Sequence, residues 1–287
     1  LRAVQVTGHI MFVQSSILLW MVYHTLGGTD WQNVLIAGLL IGTYWSVFAN
    51  LTLDITNKVT DNANFAIGHQ QMLGLWLASK TAPIIGNKQK SVENLKFPSW
   101  LSMFNDNVVA STLLMTLFFG AIMVIIGPDY FETKLAFPLF IYMTTAKFAV
   151  FLTIILTGVR MFVAELVESF QGISSKILPG SVPAVDIATI YGFGHPNATL
   201  LGFSVGALGQ LVSLILLIVT GSPVFLIPGF IPMFFDNAGI AVYANHFGGI
   251  RAVVITTFIS GLVQVGLGSF TYVLSGMSGG VMANFDW

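Results

Sequence analysis

The 287 residues predict an all-α, polytopic membrane protein, and three observations carry that expectation. Only 8% of the residues are charged, 11 Lys plus Arg against 12 Asp plus Glu. An average soluble domain carries about 25%, so this chain cannot solvate an ordinary surface. Hydrophobic residues make up 55% of it, and the mean hydropathy is +0.84. The apolar residues also gather in runs of the length that crosses the hydrocarbon core as helix, about 20 residues, without the short alternating segments of a β-barrel. A soluble globular enzyme and a disordered chain are excluded, and a net charge of −1 gives no basic footprint for nucleic acid. The partner implied by composition is the lipid bilayer.

About six transmembrane helices are expected, at Gly8 to Leu26, Asn33 to Leu53, Asn107 to Ile126, Ala136 to Thr157, Thr199 to Val219 and Arg251 to Val273. The run Leu211 to Val219 shows why a helix is preferred: it is continuous rather than alternating. Between the spans lie three stretches too short, too polar or too rich in Gly and Pro to be ordinary crossings, 62–80, 179–198 and 226–249. Non-helical backbone at membrane depth persists only where protein or a water-filled cavity satisfies its N–H and C=O groups. Interrupted segments of this kind point to a transporter's binding site, so these three are read as re-entrant.

Lys80, Lys88, Lys90 and Lys96 stand against one Glu93, which by the positive-inside rule makes 80–96 a cytoplasmic loop. Met161 to Phe170 places Glu165 and Glu168 opposite Phe162, Leu166 and Phe170, the pattern of a short helix lying in the interface. The 287 residues contain no cysteine, hence no disulfide framework and no thiol nucleophile. The chain opens at Leu1 without a signal pattern and stops at Trp287 after a hydrophobic stretch, and it is read as an internal piece of a longer protein.

Ionisable groups inside hydrophobic segments each need a reason. His9 opens the first span, either as a helix-end histidine reaching the interface or as a site residue. His69 and Gln70, within Gly68-His69-Gln70-Gln71, are either polar glue between helices or ligand-binding groups. Asp186 lies in the apolar run Val182 to Ile190, with no Lys or Arg between Lys176 and Arg251. It must pair with another segment, Lys147 being the obvious partner, or be protonated, or accept hydrogen bonds from a hydroxylated ligand or backbone amides. His24 reads as an interfacial tip. Phe118-Phe119 reads as lipid-facing or packing surface, and Gly192-Phe193-Gly194 lacks the strand and third glycine of a nucleotide fingerprint. The five histidines are scattered, at 9, 24, 69, 195 and 246, and no catalytic set or metal spacing is visible, so neither a metal nor a cofactor is expected.

Five motifs, in order along nearly the whole chain, carry a resemblance. Thr7-Gly8-His9-Ile10-Met11-Phe12, Ile67-Gly68-His69-Gln70-Gln71, Gly158 to Leu166, Ile227 to Phe235 and Ala244-Asn245-His246-Phe247-Gly248-Gly249 together resemble the membrane-spanning IIC component of the bacterial phosphotransferase-system (PTS) ascorbate transporter. The resemblance implies a homodimeric carrier of L-ascorbate in the bacterial inner membrane, with a core domain moving against a dimerisation domain. It implies separate IIA and cysteine-bearing IIB components that pass phosphate to the substrate, so that phosphotransfer belongs to the complex and this chain holds no catalytic residues of its own. The family's ligand contacts fall on His9, His69, Gln70 and Asp186. After Gly-His-Ile-Met-Phe the family pattern has two glutamines, whereas this sequence has Val13 and then Gln14, so Gln14 is the remaining amide. Histidine donors suit the enolate oxygens of a monoanion, Gln70 offers donor and acceptor, and Asp186 suits the neutral hydroxylated arm. The competing reading is an ion-coupled secondary transporter of an anionic polyhydroxylated substrate, with Asp186 and a histidine carrying protons.

Overall fold

The computed structural model describes residues 2–94, 107–224, 226 and 235–274. Among these the apolar runs form seven α-helices: α1 (Gly8–Leu26), α2 (Asp30–Val59), α3 (Met72–Ile85), α4 (Asn107–Ile126), α5 (Phe137–Lys176), α6 (Pro196–Val219) and α7 (Asn237–Leu274). Every expected span lies within or overlaps one of them. Three, α2, α6 and α7, are long and apolar enough to cross a membrane, and Met72–Ile85 and Phe137–Phe151 are shorter apolar helices. The protein is a mostly helical, polytopic membrane protein.

The expectation of a purely helical fold needs correction, because three short strands, β1 (Ala3–Gln5), β2 (Ala66–Ile67) and β3 (Val182–Val185), form a parallel sheet in the order β1-β3-β2. Ala3 pairs with Val182 and Gln5 with Ala184, while Ala66 pairs with Ala184 and Ile67 with Val185. Residue 183 of the central strand is a proline. The Val182 N–H donates to Arg2 O and the Val6 N–H to Ala184 O, so by alternation Pro183 turns its donorless nitrogen toward β2, which begins only opposite Ala184. No ladder bond is lost, which is how a proline is tolerated inside a sheet.

Two compact units are distinguished, one made of residues 1–92 and 163–287, the other of residues 93–162. In the first, α6 and α7 pack closely. Small residues at the contact allow this: a side chain at Gly261 would run into the backbone of Gly206. Tyr243 Oη and Thr56 Oγ1 share a buried hydrogen bond of 2.7 Å that ties α7 to α2. A break in α7 at Gly249 (φ 66°, ψ −165°) frees backbone groups that the loop after α3 satisfies. The Asn87 N–H donates to Gly248 O at 2.7 Å and the Ile250 N–H to Lys90 O at 2.8 Å. In the second unit, Thr116 Oγ1 of α4 and Thr145 Oγ1 of α5 lie 2.6 Å apart, and Phe131 stacks near Phe137 and Phe140.

One further expectation changes. Met161 to Phe170 is not a separate short helix but part of the 40-residue α5, which no proline interrupts beyond its first turn. Of the stretch 226–249, residues 237–248 are helical and join the rest of α7, while 227–234 lie outside the described residues, as do Lys96 and most of the motif Ile227 to Phe235.

Candidate functional site

The three parallel strands all end at the same edge of the sheet, and the polar residues singled out from sequence follow directly after them. β1 leads through Thr7 into α1 and His9; β2 leads through Gly68 to His69 and Gln70; β3 ends at Val185, and Asp186 comes next. Cross-links hold these ends together. The Gly68 N–H donates to Val185 O at 2.7 Å, and Thr7 Oγ1 donates to Gly68 O at 2.7 Å. Only glycine fits at 68, because a Cβ there would collide with Gln5 Oε1 and come within 2.9 Å of both Ala184 O and Thr7 Oγ1.

Asp186 is half-buried and caps a 3₁₀ turn over Ile187–Gly192, its Oδ1 accepting the Ala188 N–H at 2.8 Å. Of the alternatives raised for this carboxylate, acceptance from a backbone amide is therefore realised; Lys147 belongs to the other unit. His69 is buried, and its Nδ1 accepts the Gln71 N–H at 3.2 Å. Gln70 is half-buried, and its backbone carbonyl accepts the Tyr44 hydroxyl from α2. His9 is exposed on the first turn of α1. Gln14 lies further along that helix, where its Oε1 accepts the Trp45 indole N–H, and Val13 beside it is exposed. The sheet thus gathers His69, Gln70 and Asp186 at one edge with the start of α1, while Gln14 is engaged between α1 and α2.

Sequence reasoning passed over a second layer beneath this edge. Asp236 is fully buried at the entry to α7, with its Oδ1 3.8 Å from His69 Nδ1. Its Oδ2 accepts from Gln71 Nε2 at 3.0 Å and from Gln264 Nε2 at 3.2 Å. Gln264 Oε1 in turn accepts from Asn237 Nδ2 at 3.0 Å and Gln210 Nε2 at 2.6 Å. Tyr191 Oη donates to Phe235 O at 2.5 Å, linking the 3₁₀ turn after Asp186 to the same place. The signal was available, since Asp236 stands in an apolar stretch just as Asp186 does and shares the long absence of Lys and Arg before Arg251. Among the described residues no three His, Asp or Glu converge to hold a metal ion.

These features define a polytopic helical membrane protein whose buried polar residues collect where interrupted segments meet. Residues 1–287 match the model of the family described as EIIC-GAT, PTS system sugar-specific permease component, and the chain belongs to that family. It is also 34% identical over 311 aligned residues to a protein of Mycoplasma pneumoniae (strain ATCC 29342 / M129 / Subtype 1) named "Ascorbate-specific PTS system EIIC component". That alignment covers 94% of this chain and 47% of the relative, so the chain spans about half the length of the curated protein it matches.

Proposed function

We propose that the chain is the membrane-embedded part of a phosphotransferase-system permease that carries L-ascorbate, or a close sugar-acid relative, by alternating access across a bacterial inner membrane. Family membership and the name of the Mycoplasma relative support the substrate class. The observation that carries the site is the convergence of three strand ends, which brings His69 and Gln70 beside Asp186. In this reading His9, Gln14, His69, Gln70 and Asp186 contact the ligand. A buried neutral imidazole donates to an enolate oxygen of the monoanion, Gln70 both donates and accepts, and the Asp186 carboxylate takes hydroxyls of the neutral arm.

The stretches 62–80, 179–198 and 226–249 act as re-entrant segments of a core domain that moves against a dimerisation domain in a homodimer. Phosphate comes from a separate cysteine-bearing IIB, charged by IIA, and reaches the substrate on the cytoplasmic side. Whole-cell uptake of labelled ascorbate by the full-length protein tests this. Uptake is expected to be saturable and to require IIB. Uptake that survives loss of IIB and collapses with an uncoupler would make the protein an ion-coupled secondary transporter instead.

A further inference from the structure

The break at Gly249 is the tip of a hairpin. Asn237 Nδ2 meets Gln264 Oε1 at 3.0 Å, although a straight helix would set these residues about 40 Å apart, so the two arms of α7 fold back beside each other. The loop after α3 is fastened to this tip. Besides its bonds to Gly248 and Ile250, the Lys90 N–H donates to Asn87 O at 2.9 Å and the Gln89 N–H to Asn87 Oδ1 at 3.0 Å. The Val92 N–H donates to Oδ1 of buried Asn245 at 3.0 Å. A Cβ on Gly86 would strike Gly248 O, and one on Gly248 would strike Ala82 O, so backbone lies directly on backbone. The loop has one conformation, set by α7.

What this frame presents is positive charge. Lys88, Lys90 and Arg251 are all exposed, and the bond from the Ile250 N–H to Lys90 O places Arg251 one residue from the loop. None of the three forms an ion pair among the described residues. With Glu93 of the following turn counted, the net charge remains positive. Next to the cations the surface is apolar. Ile84, in the last turn of α3, is 82% exposed, and Val254 and Ile259, in the first turns after Arg251, are 40% and 52% exposed. Exposed apolar side chains on these helices belong to the hydrocarbon region, so the cations stand at its edge. A soluble acidic partner would match the charges and leave the apolar strip uncovered. A molecule with an anionic head and hydrocarbon tails matches both.

We propose that Lys88, Lys90 and Arg251 form a binding site for the headgroup of an anionic phospholipid, whose acyl chains lie along Ile84 and the start of the second arm of α7. The fixed loop holds the backbone of the three cations in place before the lipid arrives, so that less ordering is needed on binding. The site is independent of which substrate the protein carries, because none of the three residues belongs to the strand edge that bears His69, Gln70 and Asp186.

Native mass spectrometry of the full-length protein in a neutral detergent tests this, with dioleoylphosphatidylglycerol as the anionic lipid and dioleoylphosphatidylcholine as the zwitterionic lipid with the same chains. A basic residue near the membrane surface contributes about fivefold in affinity, so the wild type is expected to prefer phosphatidylglycerol by about a hundredfold. The triple variant Lys88→Gln, Lys90→Gln, Arg251→Gln should lose that preference. The charge-conserving set Lys88→Arg, Lys90→Arg, Arg251→Lys should keep most of it, which shows that the loss is not a failure to fold. Lys134→Gln, which removes an exposed cation from the other unit, should leave it unchanged. Equal affinity for the two lipids overturns the proposal, and so does an equal loss in Lys134→Gln, which would mean diffuse attraction to the whole surface. Displacement of phosphatidylglycerol by an equal concentration of inorganic phosphate or glycerol phosphate would make this a site for soluble anions and also overturn it. If phosphatidylglycerol is not preferred and purified IIB is retained by the wild type but not by the triple variant, the surface belongs to a soluble protein and the lipid assignment is wrong.

Discussion

Ile67 and Val185 are register partners in parallel strands, and the residue after Ile67 donates its N–H to the carbonyl of Val185 at 2.7 Å. Two segments about 118 residues apart in sequence therefore end side by side, and each delivers a polar residue to the same edge: His69 from one, Asp186 from the other. The positions of the candidate ligand groups follow from backbone pairing rather than from side-chain reach.

Gly68 is the residue on which this pairing depends. In Gly68→Ala the new Cβ meets Gln5 Oε1, Ala184 O and Thr7 Oγ1, and overpacking of a well-filled interior costs about 1 to 3 kcal/mol. Thermal melting of the purified protein should show that loss. Ligand affinity should fall as well, since the strand ends must separate to make room.

Gly249 answers for the other irregularity. Its φ of 66° with ψ of −165° belongs to a region that costs an ordinary residue about 1 to 3 kcal/mol. A Cβ there would also strike the carbonyls of Asn87 and Lys90. Gly249→Ala is expected to lower the melting temperature and to raise hydrogen exchange at the Ile250 N–H, which those loop contacts protect.

Helices were legible in the sequence because hydropathy and length are properties of long windows; Gly8–Leu26 and Asn107–Ile126 have the expected ends. The strands were not. β2 has two residues and β1 three, too few for a period of two to register, and β3 carries Pro183, which argues against a central strand unless the missing donor faces an unpaired position. Asp186 was found because a carboxylate in an apolar run is conspicuous. Asp236 satisfies the same test, but its partners Gln71, Gln264 and His69 come from distant segments, and only the fold brings them to it.

The lysine-bearing loop after α3 provides a test of orientation. Gln89 is exposed between Lys88 and Lys90. A cysteine introduced there, Gln89→Cys, should react with an impermeant thiol reagent in inside-out vesicles and not in intact cells. Labelling from outside intact cells would reverse the topology.

Central to this account is the assignment of Asp186 to ligand hydroxyls, and calorimetric titration of ascorbate into Asp186→Asn, with thermal melting of the same sample, tests it most directly. Removing an acceptor from buried hydroxyls costs about 1 to 3 kcal/mol, so affinity should weaken by roughly 5- to 150-fold while the melting temperature stays near that of the wild type. If the carboxylate instead neutralises Lys147, the variant should lose about 3 to 5 kcal/mol of stability, and adding Lys147→Met should restore it. Weakened binding on an intact fold is the predicted result. A large destabilisation relieved by the second substitution, with affinity unchanged, would contradict it.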